Sequence, residues 1–507
     1  MSDTVAERGT PKAFGVEREE LRGGSACAPG LYRAVWRWHF YAGLFVIPIL
    51  VTLAVTGMIY LFKPQLEPLL YHDLMRVPVP DGARAVPYAD QIAAVERAYP
   101  NATVARVVTP IAADASTEVF VTTVPEGERS PFGNPGDRAV YVDPYTGKVL
   151  GALVTSDMFM DNVRDLHGEL MAGPWGDRIV ELVASWAVVL TATGYSLWWR
   201  GRHSRAKQRA GARGRSLIRN RHARIGALTG AVLAFFIISG LPWSDLWGNN
   251  FQKLATATKA NYPELSDAAS TSIPPLTRDL AGGDNGAPWA TEQLPVPSSD
   301  PGAGHTGHGG AGATGHTAGV TGGVATPIGV DRVAGIFTAR THPRHGFTVL
   351  MPEGETGVYS VFTTTPNNPE EAEYTNIDQY SGKVLGSYGF GDYGVLAKGV
   401  EEGIALHEGR RFGAVNLLAN LALCLGVLFM AITGPMMWWR RRPKGGPAEA
   451  GFTAPRRTKD SIRMRGVLVI MVIIGVLFPL GGISMVLVLL LDRFALRRIP
   501  RLARVFG

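Results

Sequence analysis

Four histidines occupy matched positions in the sequence, and two of them stand where apolar stretches begin. In RWHFYAG, His39 precedes a glycine by four residues and Gly57 by eighteen. In RHARIG, His222 precedes a glycine by four residues and Gly240 by eighteen. Because both offsets coincide, these two histidines indicate an internal repeat.

The other two histidines repeat in the same way. In DLHGEL, His167 lies twenty-seven residues before Gly194, and in ALHEGR, His407 lies twenty-seven residues before Gly434. A Trp-Trp-Arg sequence begins four residues after each of these glycines. The chain therefore contains two copies of one arrangement, and each copy has a histidine ahead of each of its two apolar segments.

The arrangement of these histidines favours a role in binding iron. Imidazole is a strong iron ligand, and a noncovalently held b-type haem takes one axial ligand on each face, commonly from facing helices. Two pairs, His39 with His222 and His167 with His407, therefore predict two b-type haems. A single histidine at a membrane boundary is more often an interfacial or capping residue, and that alternative stays open for each of the four. Their matched register favours ligation.

The elements that would position these histidines are membrane helices. About 20 apolar residues in a helix span a hydrocarbon core of about 30 Å. The 507-residue chain has five such runs, and we interpret the first four as transmembrane helices. In the fifth, FPLGG at 478–482 could divide the run into two pieces too short to span, so both a crossing and a re-entrant path remain open. The five runs cover residues 40–62, 178–199, 225–247, 414–439 and 466–491.

The distribution of charge orients these helices. Ten Lys or Arg and no acid lie between Arg200 and Arg224, although the net charge of the whole chain is only +7. Such loops face the cytoplasm. The two long connections are acidic, with 14 acids against 9 bases over 63–165 and 16 against 8 over 248–405. We therefore expect these connections outside the cytoplasm and no nucleic-acid partner.

Both external connections contain the same motif. VYVDPYTGKVLG, residues 140–151, matches TNIDQYSGKVLG, residues 375–386, and each predicts a strand, an Asp-initiated turn and a returning strand. Helical periodicity precedes each one, in YADQIAAVERAYP and VDRVAGIFTAR. Each half is therefore predicted to be helix, small α+β module, helix. An insertion between the halves is rich in Gly, Pro, Ser and Thr, so we expect it to be disordered or loosely tethered.

The fold class is thus a polytopic α-helical membrane protein with four core transmembrane helices in two repeats, a fifth hydrophobic segment and two small α+β modules outside the cytoplasm. The predicted parts are a cytosolic tail (1–35), helix 1 (36–62), module 1 (63–165), helix 2 (166–200), a basic cytosolic loop (201–221), helix 3 (222–247), the flexible insertion (248–326), module 2 (327–405), helix 4 (406–440), a cytosolic loop (441–465), the fifth segment (466–491) and a basic tail (492–507).

The sequence gives only weak signals for other functional sites. His305, His308 and His316 lie in GAGHTGHGGAGATGHTAG, where a flexible chain could gather a transition metal, and low-complexity drift explains the same stretch equally well. Its G-x-G-x-x-G has no strand before it and no helix after it, so it does not predict a nucleotide site. The sequence contains no P-loop, nucleophile elbow or metalloprotease pair. Any reductant must therefore come from outside the chain.

The combined pattern resembles a known family. His-x-x-x-Gly at a first helix, a module ending in D-x-Y-[ST]-G-K-V-L-G, and Leu-His ahead of a helix that ends T-G-x-x-x-W-W-R are similar to the PepSY-associated transmembrane proteins, and among them to the iron-regulated, ferric-siderophore-reductase-like members. The resemblance covers residue 30 to about 440, without the insertion. It implies a PepSY fold for the modules and two b-type haems with His39, His167, His222 and His407 as ligands.

Two functional classes follow. The first is a multi-pass inner-membrane electron-transfer protein of a bacterium, with a cytosolic N-terminus and periplasmic modules, that takes electrons from an unknown cytosolic or membrane donor. Its acceptor would be a ferric siderophore or another metal chelate. The second is an anchored protein whose modules bind a peptidase, a peptide or a metal without haem. A permease is disfavoured, because the sequence lacks paired broken membrane segments.

Overall fold

The computed structural model describes most of the chain. Along the chain, long apolar helices alternate with segments of short helices and strands. The described residues are 29–82, 84–125, 134, 136–207, 214–258, 260, 289–291, 294–300, 326–344, 346–364, 367–441, 472–496 and 498–499.

Twelve helices are labelled here in chain order. They are α1 (Pro29–Tyr60), α2 (Lys63–Leu70), α3 (His72–Met75), α4 (Tyr88–Ala98), α5 (Phe159–Gly168), α6 (Gly173–Lys207), α7 (Arg215–Gly240), α8 (Asp245–Ala257), α9 (Val330–Thr341), α10 (Val395–His407), α11 (Ala414–Trp439) and α12 (Pro479–Leu491).

Eight strands are labelled here in chain order. They are β1 (Thr103–Val108), β2 (Thr117–Thr122), β3 (Arg138–Val142), β4 (Val149–Val154), β5 (Phe347–Leu350), β6 (Val358–Thr363), β7 (Glu373–Asp378) and β8 (Val384–Gly389).

Four of the described helices are long and apolar enough to cross a membrane, which confirms that this is a membrane protein. They cover Tyr32–Tyr60, Gly173–Arg202, Ser216–Trp243 and Ala414–Trp439. The helices that contain them pack in the cyclic order α1, α6, α7, α11 and back to α1. In this four-helix ring, α1 lies across from α7, and α6 lies across from α11.

The ring has a small-residue interior and an apolar exterior. Ala42, Val46 and Ala187 are buried between helices, whereas Leu228 and Ile432 are 73% and 66% exposed. Lipid tails are as apolar as leucine, so close packing of small side chains rather than water exclusion holds such helices together. The exposed leucines and isoleucines are the surface that contacts lipid.

The fifth apolar run is broken. Residues 472–477 are helical, the chain leaves helical geometry at Phe478, and α12 begins at Pro479. The 13 residues of α12 extend about 20 Å, less than the roughly 30 Å of the hydrocarbon core. The indole N–H of Trp186 on α6 donates to Ser484 at 3.0 Å. This segment therefore packs on α6 as two short pieces.

The strands form one continuous sheet, not two separate ones. All eight are antiparallel in the order β4-β3-β2-β1-β5-β6-β7-β8. The two halves meet at β1 and β5, where Val107 pairs with Val349. The sequence predicted two small modules because the repeat is local. A four-stranded half would leave β1 as an unpaired edge, and pairing with β5 satisfies both edges.

The repeated turn motif closes each end of the sheet. Asp143 accepts hydrogen bonds from the Tyr145 amide at 2.9 Å and the Thr146 hydroxyl at 2.7 Å. The following Gly147 has a φ of 69°, which favours glycine. The equivalent Asp378 turn has Gly382 at a φ of 72°. These contacts explain why both copies retain Asp, a hydroxyl residue and Gly.

The insertion between the halves is partly ordered, which corrects the expectation of a loose tether. Helix α8 extends to Ala257, and Trp289 and Leu294 are only 2% and 1% exposed. Trp289 packs in a cluster with Tyr393 and Val400. The averaged polar composition concealed these apolar anchors. Residues 261–288 and 301–325, including His305, His308 and His316, lie outside the described part of the chain.

One face of the sheet packs on α4 and α9, and the opposite face packs on α2 and α3 near the outer ends of the spans. On this second face, Glu118 of β2 is half-buried beside charged groups of three elements. Burial is the main cause that raises the pKa of Glu118 to about 7; Glu67 and Asp161 also raise this pKa, and Lys63 and Arg106 oppose the rise.

Glu118→Gln is expected to stabilise the protein at pH 8 and to change its stability little at pH 5. A carboxyl with a raised pKa binds its proton more tightly in the folded state, so its favourable contribution is lost as pH rises toward about 7 and above. Thermal unfolding in detergent at both pH values measures this. Glu96→Gln, on the exposed surface of α4, is the matched control. An equal gain at both pH values would contradict the prediction.

Candidate functional site

The four histidines lie at two levels of the helix ring. His39 is within α1 and His222 within α7. His167 and His407 are in the last turns of α5 and α10, the short helices that precede α6 and α11. The chain turns sharply between each short helix and its span, with positive φ at Leu170. The second pair thus lies on separate short helices and not on the spans themselves.

Each histidine of the first half is held by the other span of that half. The Nδ1 atom of His39 lies 3.1 Å from the Leu190 carbonyl oxygen and 3.2 Å from the Thr193 hydroxyl of α6. The Nδ1 atom of His167 lies 2.9 Å from the Thr56 hydroxyl of α1. Helix α6 therefore holds the histidine of α1, and α1 holds the histidine of α5, the short helix that precedes α6.

The second half repeats this exchange. The Nδ1 atom of His222 on α7 lies 2.8 Å from the Thr433 hydroxyl of α11. The Nδ1 atom of His407, just before α11, lies 3.0 Å from the Ser239 hydroxyl of α7. All four contacts join the same atoms, an imidazole Nδ1 and a hydroxyl oxygen, so they form one repeated unit.

The hydroxyl protons decide which ring nitrogen carries hydrogen. Thr56 donates to the Thr52 carbonyl at 2.8 Å, and Thr433 donates to the Phe429 carbonyl at 2.7 Å. A hydroxyl has one proton, so its oxygen must accept from the imidazole. Thr193 and Ser239 likewise donate to carbonyls of their own helices. This pattern favours the Nδ1–H tautomer of each histidine, which has its lone pair on Nε2.

That lone pair is available. Within the described residues, none of the four Nε2 atoms makes a hydrogen bond. Each of the four histidines is half-buried as a residue. Metal-binding histidines have this arrangement, in which one nitrogen is anchored by a second-sphere acceptor and the other is free to ligate.

A glycine beside each hydroxyl makes room for the ring. A Cβ atom added at Gly194 would lie 3.1 Å from Cε1 of His39, and one at Gly57 would lie 3.4 Å from Cε1 of His167. The corresponding distances at Gly240 and Gly434 are 3.5 and 3.8 Å. The Thr-Gly and Ser-Gly pairs are thus cradles in which the hydroxyl fixes the ring and the glycine admits it.

The histidines approach in the pairs that the sequence predicted. The ring centroids of His167 and His407 are 6.4 Å apart, and their planes are inclined by 86°. His39 and His222 lie within electrostatic range of each other. His39 and His222 lie on α1 and α7, which are opposite members of the ring. His167 and His407 lie on the short helices α5 and α10 and contact those same two members, α1 and α7.

The distance between the ring centroids of His167 and His407 suits two ligands of one metal ion. A metal–imidazole bond is about 2.0 Å and the ligating nitrogen lies about 1.2 Å from the ring centroid, so two imidazoles on one ion have centroids about 6.4 Å apart. His167 and His407 have this separation. Phe236 packs on His407 with a centroid distance of 4.4 Å and provides an apolar wall. The residues present therefore fit bis-histidine ligation of a haem.

Comparison with known proteins agrees with the arrangement of the chain. The family model described as the PepSY-associated TM region matches residues 36–441. The chain belongs to this PepSY-associated family. The matched region includes all four histidines, both halves of the sheet and the four spans. No curated protein matches the sequence.

The four cradle hydroxyls of this PepSY-associated protein were not recognised in the sequence. Small residues in membrane spans are usually packing positions between helices, so the Thr-Gly and Ser-Gly pairs do not stand out as parts of a site. A usable signal existed, since a hydroxyl residue precedes the glycine at all four matched positions, as Thr56, Thr193, Ser239 and Thr433.

A chelating metal site of the usual kind is absent from the described part of this PepSY-associated chain. No group of three or more His, Cys, Asp or Glu side chains converges there. Cys424, a half-buried residue of α11, is not part of a disulfide. The histidine pairs therefore remain the candidate site, with two protein ligands for each metal ion.

Proposed function

We propose that this protein is a bacterial inner-membrane electron carrier with two b-type haems, and that it reduces a ferric siderophore or another ferric chelate outside the cytoplasm. The supporting observation is the set of four anchored imidazoles, each with an Nε2 that makes no hydrogen bond among the described residues, of which His167 and His407 have ring centroids 6.4 Å apart. Imidazoles oriented in this way supply both axial ligands of a haem.

The chain's own residues would orient and shield the cofactor. His39 and His222 would hold one haem near the cytosolic ends of the spans, and His167 and His407 would hold the other near the sheet. Haem b, when bound, supplies one-electron transfer between its ferric and ferrous forms. The closely packed apolar helices, with side chains such as Phe236, would exclude water and ligands that compete with histidine.

The orientation of the chain favours electron flow outward. The basic loop between Arg200 and Arg224 marks the cytosolic side, so the sheet lies outside with the second pair of histidines beneath it. A donor in the cytosol or the membrane would give one electron for each ferric ion that is reduced. Ferrous iron binds oxygen ligands more weakly than ferric iron, so reduction would release the metal from its chelate.

The alternative is an anchored binding protein without haem. The terminal strands β4 and β8 are half-buried along their length, and each has only one strand partner in the described sheet. An extended peptide, as part of a peptidase or free, could add to such an edge. In this alternative the histidines would only join the helices, and the protein would be colourless.

An absorption spectrum tests the proposal directly. Protein purified after expression with a haem precursor is expected to show a Soret band and, on reduction, the sharp α-band of low-spin bis-histidine haem. His72→Ala is a suitable control, because His72 is exposed on α3 and belongs to none of the four cradles. A colourless wild-type protein under these conditions would refute haem binding and favour the anchored binding protein.

A further inference from the structure

We infer that the hydroxyls of Thr56, Thr193, Ser239 and Thr433 are positioning residues that set the tautomer and the donor strength of the four proposed haem ligands. This inference rests on the proposed function. It also goes further, because it assigns a chemical role in electron transfer to four residues that would not contact the iron.

The first argument is geometric. In every unit the histidine and the hydroxyl come from different helices of the same half, and the hydroxyl oxygen has its own proton engaged with a carbonyl. The oxygen is therefore placed to accept a hydrogen bond from the ring. An imidazole ring that is hydrogen-bonded at Nδ1 cannot rotate about its Cβ–Cγ bond without losing that hydrogen bond. The Nε2 atom therefore keeps a fixed orientation.

The second argument is electronic. A hydrogen bond from Nδ1–H gives the imidazole partial imidazolate character and raises the basicity of Nε2. A more basic axial ligand stabilises ferric over ferrous haem, which lowers the reduction potential. Loss of such a second-sphere partner typically weakens metal affinity by about 10- to 100-fold. The hydroxyls should therefore affect both haem affinity and potential.

The inner haem is the proposed haem that His39 and His222 would hold near the cytosolic ends of the spans. These two histidines differ in the number of their hydrogen-bond acceptors, which makes the test more specific. His39 has two acceptors, the Thr193 hydroxyl and the Leu190 carbonyl. Among the described residues, His222 has only the Thr433 hydroxyl. Removing the hydroxyl should therefore affect His222 more than His39, although both would ligate the same haem.

The experiment compares Thr433→Val, Thr193→Val and Thr433→Ser in the full-length, haem-loaded protein. Thr433→Val is expected to raise the midpoint potential of the inner haem and to lower its affinity about tenfold or more. Thr193→Val should have a smaller effect, and Thr433→Ser should restore the wild-type values. Potentiometric titration, low-spin electron paramagnetic resonance and haem titration measure these quantities. Thr229→Val, a buried position on α7, controls for the loss of a helix hydroxyl.

Three results would overturn the inference. Thr433→Val could leave the potential of the inner haem unchanged, Thr433→Ser could fail to restore it, or Thr229→Val could shift it equally. The last two would assign the threonines to packing. A wild-type protein that binds no haem would instead refute the proposed function itself, and the two failures are therefore distinguishable.

Discussion

Replacing His39 or His222 with alanine is expected to remove one haem, the same haem in both variants, and to leave the second haem in place. Each haem would depend on both imidazoles of its pair, because a lone axial histidine leaves one face of the iron open. The total haem content should therefore fall by half. Pyridine haemochrome assays and reduced-minus-oxidised spectra measure the content and identify which haem remains.

The same reasoning applies to His167 and His407, but the functional result should differ. Loss of the outer haem should leave the inner haem reducible by the cytosolic or membrane donor and abolish transfer to an external ferric chelate. Loss of the inner haem should prevent reduction by the donor, while dithionite still reduces the outer haem.

Two controls separate a lost ligand from a damaged fold. His72→Ala should keep both haems, since that side chain is exposed. The single-site variants should also elute from size-exclusion chromatography as the wild type does. If His39→Ala and His222→Ala each abolished both spectra, general misfolding would explain the result, and the assignment of the inner pair would be wrong.

Substitution of the cradle glycines is expected to give the second-largest effect. A Cβ at Gly194 would lie 3.1 Å from Cε1 of His39, tighter than ordinary van der Waals contact, and the additional methyl groups of valine would displace the ring. Gly194→Val should therefore lower occupancy of the inner haem more than tenfold and leave the outer haem unchanged. Haem titration followed by difference spectroscopy measures both.

Alanine at two positions makes a matched comparison. Gly434 lies beside His222, the other proposed ligand of the same haem, but a Cβ there would lie 3.8 Å from His222, an ordinary contact. Gly434→Ala should therefore keep the haem, whereas Gly194→Ala should weaken it. Both changes add helix propensity of roughly 1 kcal/mol, so thermal stability should not explain the difference. Equal haem loss in both variants would show that the cradle distances do not control binding.

Much of this site could be predicted from offsets alone. The distances of eighteen residues from His39 to Gly57 and of twenty-seven from His167 to Gly194 recur in the second half, and equal offsets along helices imply equal positions in space. The Asp-initiated turns likewise identified the strands on either side. Repetition was informative because it does not depend on the weak propensity of any single residue.

The remaining features depend on the relation between distant segments. Pairing of Val107 with Val349 joins residues 242 positions apart, and no local pattern distinguishes one joined sheet from two separate ones. The contact of Thr193 with His39 depends on the rotation of α6 about its axis, which composition does not determine. Trp289 was hidden by the polar residues around it.

The reciprocal cradles also have a mechanical consequence. Along α1, His39 is tied to α6 at one level and Gly57 receives His167 at another, about 27 Å apart for eighteen residues of helix. A slide of α1 by a single residue against both α6 and α5 would break both ties at once. Helix tilt commonly adapts to bilayers of different thickness, but here the vertical spacing of the redox centres would be fixed by the protein. The distance over which electrons tunnel between these centres would therefore not depend on the lipid composition.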